Sequence, residues 1–195
     1  MYVVIAEDDS DVKCLKILIK RLAGDKPLTI EGKGFGSCGN MLNKGARFLN
    51  TYSNQAKFRK FIICHDRDKS SYQSVYEKVA DRIINKAGIN TKQICILIPT
   101  EEIEAWILAD IKAVKNVISS WPHNKIDGSP EDIKNPKEVL QSLSRIDKPR
   151  PLYNHALHNE KIMEYLNLAD VKSKCPSFAE LVAFVESGKA NYPNR

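Results

Sequence analysis

A chain of 195 residues, 43% apolar and 28% charged, is long enough to bury a core and too ordinary in composition for disorder. None of its apolar runs approaches the roughly 20 residues that span a bilayer, and residues 1–7 lack the basic start of a signal peptide. A net charge of +6 favours a polyanionic partner, while five scattered cysteines with no Cys-x-x-Cys and no zinc-finger histidine spacing suit a reduced, cytoplasmic protein without structural zinc.

Residues 2–6 form a β-branched run that reads as a buried first strand. It ends in Glu7-Asp8-Asp9-Ser10-Asp11, where Asp9 or Ser10 suits a helix N-cap and acid suits the positive end of the helix. Val12, Leu15, Leu18, Ile19 and Leu22 then share one helical face, and Gly24 stops it. Residues 27–30 read as a short second strand. The segment Gly32-Lys33-Gly34-Phe35-Gly36-Ser37-Cys38-Gly39 fits neither a Walker loop nor the dinucleotide fingerprint, and reads as a flexible loop carrying Lys33 beside the site. Residues 40–55 read as a helix with Leu42, Ala46 and Leu49 inward and Lys44 and Arg47 outside.

The third strand, residues 61–64, runs straight into His65-Asp66-Arg67-Asp68. Residues two apart on a straight strand point the same way, so Asp66 and Asp68 are placed to share one cation. An acidic loop capping the next helix is the competing reading. That helix starts near Ser70, carries Val75, Val79 and Ile83, and ends at Gly88. Residues 94–98 read as a fourth buried strand, residues 101–118 as a further helix, and residues 122–136 as a polar linker. Beyond it lie only helical patterns, at 136–146, 159–168 and 176–187.

Such alternation argues an α/β domain with a mostly parallel sheet flanked by helices, over residues 1–120, and a helical carboxyl-terminal extension packed on it, over residues 121–195. In a parallel sheet the acids after strands one, three and four (Glu7 to Asp9, Asp66 and Asp68, Glu101, Glu102 and Glu104) share one edge, where α/β proteins bind ligands. Carboxylates gathered there repel one another unless a cation is present.

Two families carry acids in these places. Val4-Ile5-Ala6-Glu7-Asp8-Asp9 resembles a response-regulator receiver, with Asp66 as phosphoryl acceptor and Thr100 as the hydroxyl after the fourth strand. The Met-Pro and Asp-Gly turn and the Lys-Pro strand of receivers are missing. The fuller resemblance is to the Toprim domain, which has a Glu-Gly-x-x-Asp-like motif after its first strand and Asp-x-Asp after its third. Glu7-Asp8-Asp9-Ser10-Asp11 resembles the first, with Asp8 in place of the glycine, and Asp66-Arg67-Asp68 the second. Glu104-Ala105-Trp106-Ile107-Leu108-Ala109-Asp110 and Cys175-Pro176-Ser177-Phe178 resemble segments of small stand-alone bacterial Toprim-like proteins, similar to the nuclease domain of the overcoming-lysogenization-defect family.

The resemblance implies a Toprim-like (Rossmann-like) fold and Mg²⁺- or Mn²⁺-dependent hydrolysis of nucleic-acid phosphodiesters, DNA or RNA, in bacterial anti-phage defence. It makes Glu7, Asp66 and Asp68 the catalytic metal-binding set, with Glu7 as ligand or general base. Asp11 is either a further ligand or a helix-terminal charge, and Glu104 either completes the site or lies on a solvated face. Lys33, Lys44, Arg47, Arg67 and Lys69 are the candidate phosphate contacts. The chain holds no Walker motif, so an ATPase partner would be a separate protein, and homo-oligomers are open. The alternative is a metal- or phosphate-binding regulatory module without catalysis, or a degenerate receiver.

Overall fold

Three apolar runs and one glycine-rich run become parallel strands: β1 (Tyr2–Ala6), β2 (Ile30–Gly34), β3 (Lys60–Cys64) and β4 (Ile94–Leu97), ordered β2-β1-β3-β4. The structure, a computed structural model, describes residues 1–24, 27–90, 93–145 and 152–193. Helices α1 (Asp9–Leu22), α2 (Cys38–Ser53) and α3 (Tyr72–Val79) connect the strands. A π-helical turn (Ala80–Ile84) and α4 (Asn85–Ala87) extend α3 to Gly88, whose φ of 64° ends it. The sheet is thus parallel and helix-covered on both faces, the expected α/β class.

Strand alternation divides the core. Tyr2, Val4, Ala6, Ile62 and Cys64 face α1 and the later helices, whereas Val3, Ile5, Phe61 and Ile63 face α2 and α3. After β4 come α5 (Glu104–Ala109), α6 (Pro136–Leu143), α7 (His155–Met163), α8 (Leu168–Lys174) and α9 (Pro176–Ser187), with short 3-10 helices at Ile111–Asn116 and Pro130–Asp132. Phe178 and Phe184 of α9, Tyr153 and Trp121 lie in the same buried cluster as Tyr2 and Val4, so residues beyond 120 share a core with the sheet. Asn191 completes it: its side chain accepts the Ile96 N–H (2.8 Å) and donates to the Ile96 carbonyl (2.7 Å), pairing the free edge of β4.

Four expectations are corrected. The second strand lies at Ile30–Gly34 rather than 27–30, so Gly32, Lys33 and Gly34 are strand and not flexible loop. The glycines answer to close packing: a Cβ on Gly34 would sit 2.2 Å from the Asp9 nitrogen, and one on Gly32 2.6 Å from Val12 Cγ1. The helix expected over 101–118 breaks at Asp110, whose carboxylate is turned inward to accept the Asn167 N–H (2.7 Å), and resumes as a 3-10 helix. The pattern at 159–168 divides between α7 and α8, because the Asn167 side chain caps a new helix by accepting from Ala169 and Asp170. The end expected at Ile146 for α6 lies outside the described residues; the helix is described to Leu143. Among the described residues no helix is long and apolar enough to cross a membrane.

Candidate functional site

The carboxyl ends of β1, β3 and β4 bring the acids together. Past Cys64 the chain stays extended against β4, with the His65 N–H on the Leu97 carbonyl (3.0 Å) and the Arg67 N–H on the Pro99 carbonyl (3.1 Å). The Asp66 N–H therefore points the other way, toward β1 and the Glu7 carboxylate, whose pKa it pulls down. The Glu7 carbonyl in turn receives the N–H groups of Phe35 (3.0 Å) and Gly36 (2.8 Å), and the Asp9 carboxylate receives the Gly34 N–H (2.8 Å). The end of β2 thus clamps the turn that carries Glu7.

Strand parity then sorts the side chains into two groups. Asp66 continues the Ile62 and Cys64 side, toward α1 and α5, and its strongest electrostatic neighbours are Asp11, Glu7, Glu104 and Glu102. Burial, and then these acids, hold the Asp66 carboxyl well above the usual range. Burial followed by Glu104 and Asp8 pushes Asp11 up to about 7. Glu104 is 4% exposed; burial and then Glu102 push it to about 7, against the hydrogen bond it accepts from Asn159 Nδ2 (3.0 Å). Glu104 is therefore no solvated-face residue, although the sequence left that reading open. Asp11 serves the helix start, where its Oδ2 accepts the Asp8 N–H (3.4 Å), and it also has Glu104, Asp8 and Glu7 as electrostatic neighbours.

Glu7 continues the opposite parity, with His65. His65 Nδ1 lies 3.4 Å from Glu7 Oε1 and 2.7 Å from the Asp66 carbonyl oxygen, while Nε2 lies 3.1 Å from Cys38 Sγ at the start of α2. Burial raises the Glu7 carboxyl, a protonated His65 would oppose it, and Asp68 adds to it. Ligand atoms of Glu7, Cys38 and His65 all lie within 4.8 Å of one another, the one such set of three among the described residues. Asp66 and Asp68 do not join it at that spacing, so Glu7, Asp66 and Asp68 share an edge without converging on one point.

Other ion pairs at this edge are few. Lys137 Nζ meets Glu102 Oε1 at 2.7 Å, and among the described residues no ion pair involves Asp11, Asp66 or Glu104. Two exposed-edge residues adopt left-handed backbone, Asp68 (φ 49°) and Glu101 (φ 62°), a strain that non-glycine residues carry mostly at functional turns. Of the candidate phosphate contacts, Lys33, Arg67 and Lys69 lie at the carboxyl edge. Lys44 and Arg47 are exposed on α2 and recede from it by about 1.5 Å per residue. Lys33 is held over the Phe35 and Phe48 rings.

The later motifs meet in the core. The Trp106 indole N–H donates to Ser177 Oγ (2.9 Å), Ser177 hydrogen-bonds the buried Glu131, and the Trp106 and Phe178 rings touch edge to face. Their task is to fix α5, and with it Glu104, against α9. Cys38 and His65 were missed as partners: they stand 27 residues apart, and only the position of His65 one residue before Asp66 hinted at the site.

No curated protein and no solved structure matches this chain. A family model described as a domain of unknown function, DUF4276, matches residues 6–186, nearly the whole sequence, and the chain belongs to that family.

Proposed function

We propose that this protein hydrolyses phosphodiester bonds of nucleic acid with a hard divalent cation, Mg²⁺ or Mn²⁺, at the carboxyl edge of its sheet. The observation that carries the reading is the set Asp11, Asp66 and Glu104: a buried carboxyl and two half-buried ones, with raised pKa values and, among the described residues, no ion-pair partner. All-oxygen donors of this kind fit a hard cation, which takes one or two carboxylates and leaves positions for phosphate and water. Asp66 and Asp68 would hold the ion, and Asp11 and Glu104 would add negative charge behind them. When bound, such an ion neutralises a non-bridging phosphate oxygen and lowers the pKa of its water.

The chain's own groups would do the rest. Lys33, Arg67 and Lys69 at the edge would orient the phosphate backbone, and the net charge of +6 would draw a polyanion in. Glu7, its carboxyl raised by burial, would hold or accept a proton beside the phosphate. Association with a separate ATPase and a role in anti-phage defence belong to the same proposal.

Incubating the purified chain with labelled single- and double-stranded DNA and RNA in Mg²⁺, Mn²⁺ and Ca²⁺ tests it. Cleavage in Mg²⁺ or Mn²⁺ supports the reading. Tight metal binding with no turnover on any substrate would instead favour the non-catalytic module.

A further inference from the structure

We infer that Cys38, His65 and Glu7 form a second cation site, selective for a borderline-soft divalent ion of the zinc type and distinct from the all-oxygen set around Asp66. The donors are a sulfur, an imidazole nitrogen and a carboxylate oxygen, all within 4.8 Å of one another. That mixture is what zinc takes at sites with an open fourth position, and Mg²⁺ does not favour thiolate or imidazole. The inference stands whether or not the chain cleaves nucleic acid.

The geometry supports binding in detail. In a tetrahedral site, Zn–S of about 2.3 Å and Zn–N of about 2.0–2.1 Å put sulfur and nitrogen roughly 3.5 Å apart. Cys38 Sγ and His65 Nε2 stand at 3.1 Å, so a small shift admits the ion. Nδ1 on the far side of the ring lies 2.7 Å from the Asp66 carbonyl oxygen, which fixes its proton there and leaves Nε2 free to ligate. Zinc-binding histidines are characteristically oriented by such a bond on the other nitrogen.

Glu7 supplies an independent sign. Its Oε1 is buried and makes no hydrogen bond: His65 Nδ1, 3.4 Å away, directs its proton to the nearer Asp66 carbonyl. A buried carboxylate oxygen without a donor is costly unless a cation meets it. His65 is 3% exposed and held in place, whereas Cys38 is partly exposed and leaves an entry route. The other four cysteines are buried, so Cys38 is the thiol an ion can reach.

Anaerobic titration of Co²⁺ into the reduced, metal-free full chain tests this. The expected result is a thiolate-to-cobalt charge-transfer band in the near ultraviolet that saturates at one equivalent, resists excess Mg²⁺ and is removed by Zn²⁺. Cys38→Ser, checked for folding by circular dichroism, should lose the band and weaken Zn²⁺ binding by more than about 100-fold, beyond the loss expected for an outer partner. A chain that gives no such band, or a band that persists in folded Cys38→Ser, overturns the assignment. Failure here leaves cleavage in Mg²⁺ untouched, and a chain inactive on nucleic acid can still give the band.

Discussion

Glu104, in the first turn of α5, exerts the largest electrostatic influence on Asp11, in the first turn of α1, although 93 residues separate them. Both carboxyls are pushed to about 7, from ordinary values of 4.5 and 3.8. In the unfolded chain each loses its proton near its ordinary value, while the folded chain keeps it until about pH 7. The folded state therefore binds more protons between those limits, and stability falls as pH rises through them. Metal-free protein should be most stable below about pH 4 with respect to these two groups and lose melting temperature up to about pH 7 and just beyond. Millimolar Mg²⁺ should restore much of that loss at pH 8. Thermal melts against pH, with and without Mg²⁺, check the sign; a chain that gains stability across pH 4–7 in chelator would contradict it.

Asp68→Asn should weaken Mg²⁺ binding sharply while leaving the fold intact. Asp68 is exposed, and asparagine accepts its left-handed backbone, so the substitution removes charge without adding strain. Its removal also relieves Glu7, whose carboxyl it raises. Calorimetric titration with Mg²⁺ and a melt in chelator report the two effects separately. A melting temperature lowered by many degrees in chelator would mark Asp68 as structural.

Gly34→Ala should cost about 1–3 kcal/mol or more, since its Cβ would strike backbone atoms of Asp9 and Asp8 at 2.2 and 2.3 Å. The same change displaces the turn that leads into Asp11, so Mg²⁺ affinity should fall with stability. Gly36→Ala is the control. It has φ 75° but open space, and should cost only about 1 kcal/mol of backbone strain. Denaturant melts of the two variants give the comparison, and equal costs would show that close approach at Gly34 is unimportant.

Trp106→Phe should lower stability by roughly 1–3 kcal/mol, about 2–4 °C in Tm for each kcal/mol, by opening space in the core and removing the donor to Ser177. Oligonucleotide affinity at saturating Mg²⁺ should change little, because the ring is fully buried and cannot stack on a base. Loss of oligonucleotide binding in a well-folded variant would revise that assignment.

Much of this architecture is legible in the chain. Residues 2–6, 61–64 and 94–97 are apolar on both faces, as only a helix-covered parallel strand requires, and the acids follow them directly. β2 escaped because Gly32 and Gly34 read as loop, when their lack of a side chain serves contact with Val12 and Asp9. The break at Asp110 escaped because Ile107 and Val114 keep helical spacing across it while Asp110 turns to Asn167. The carboxylates were legible as a group, but their division was not. Parity along β1 and β3 sends Glu7 and His65 to one face and Asp66 to the other, and the meeting of Cys38 with His65 exists only once α2 packs.

The most direct test of the central claim is the single-turnover rate of oligonucleotide cleavage in Mg²⁺, compared between the natural chain and Glu7→Gln and Asp66→Asn. The account predicts metal-dependent cleavage that falls by about 10²-fold or more in each variant while their melting temperatures in chelator hold or rise. It is contradicted if no DNA or RNA is cut while acetyl phosphate and Mg²⁺ leave one phosphate on Asp66, read by intact mass. That result would make the site a phosphoryl acceptor and its acids the cradle of a receiver.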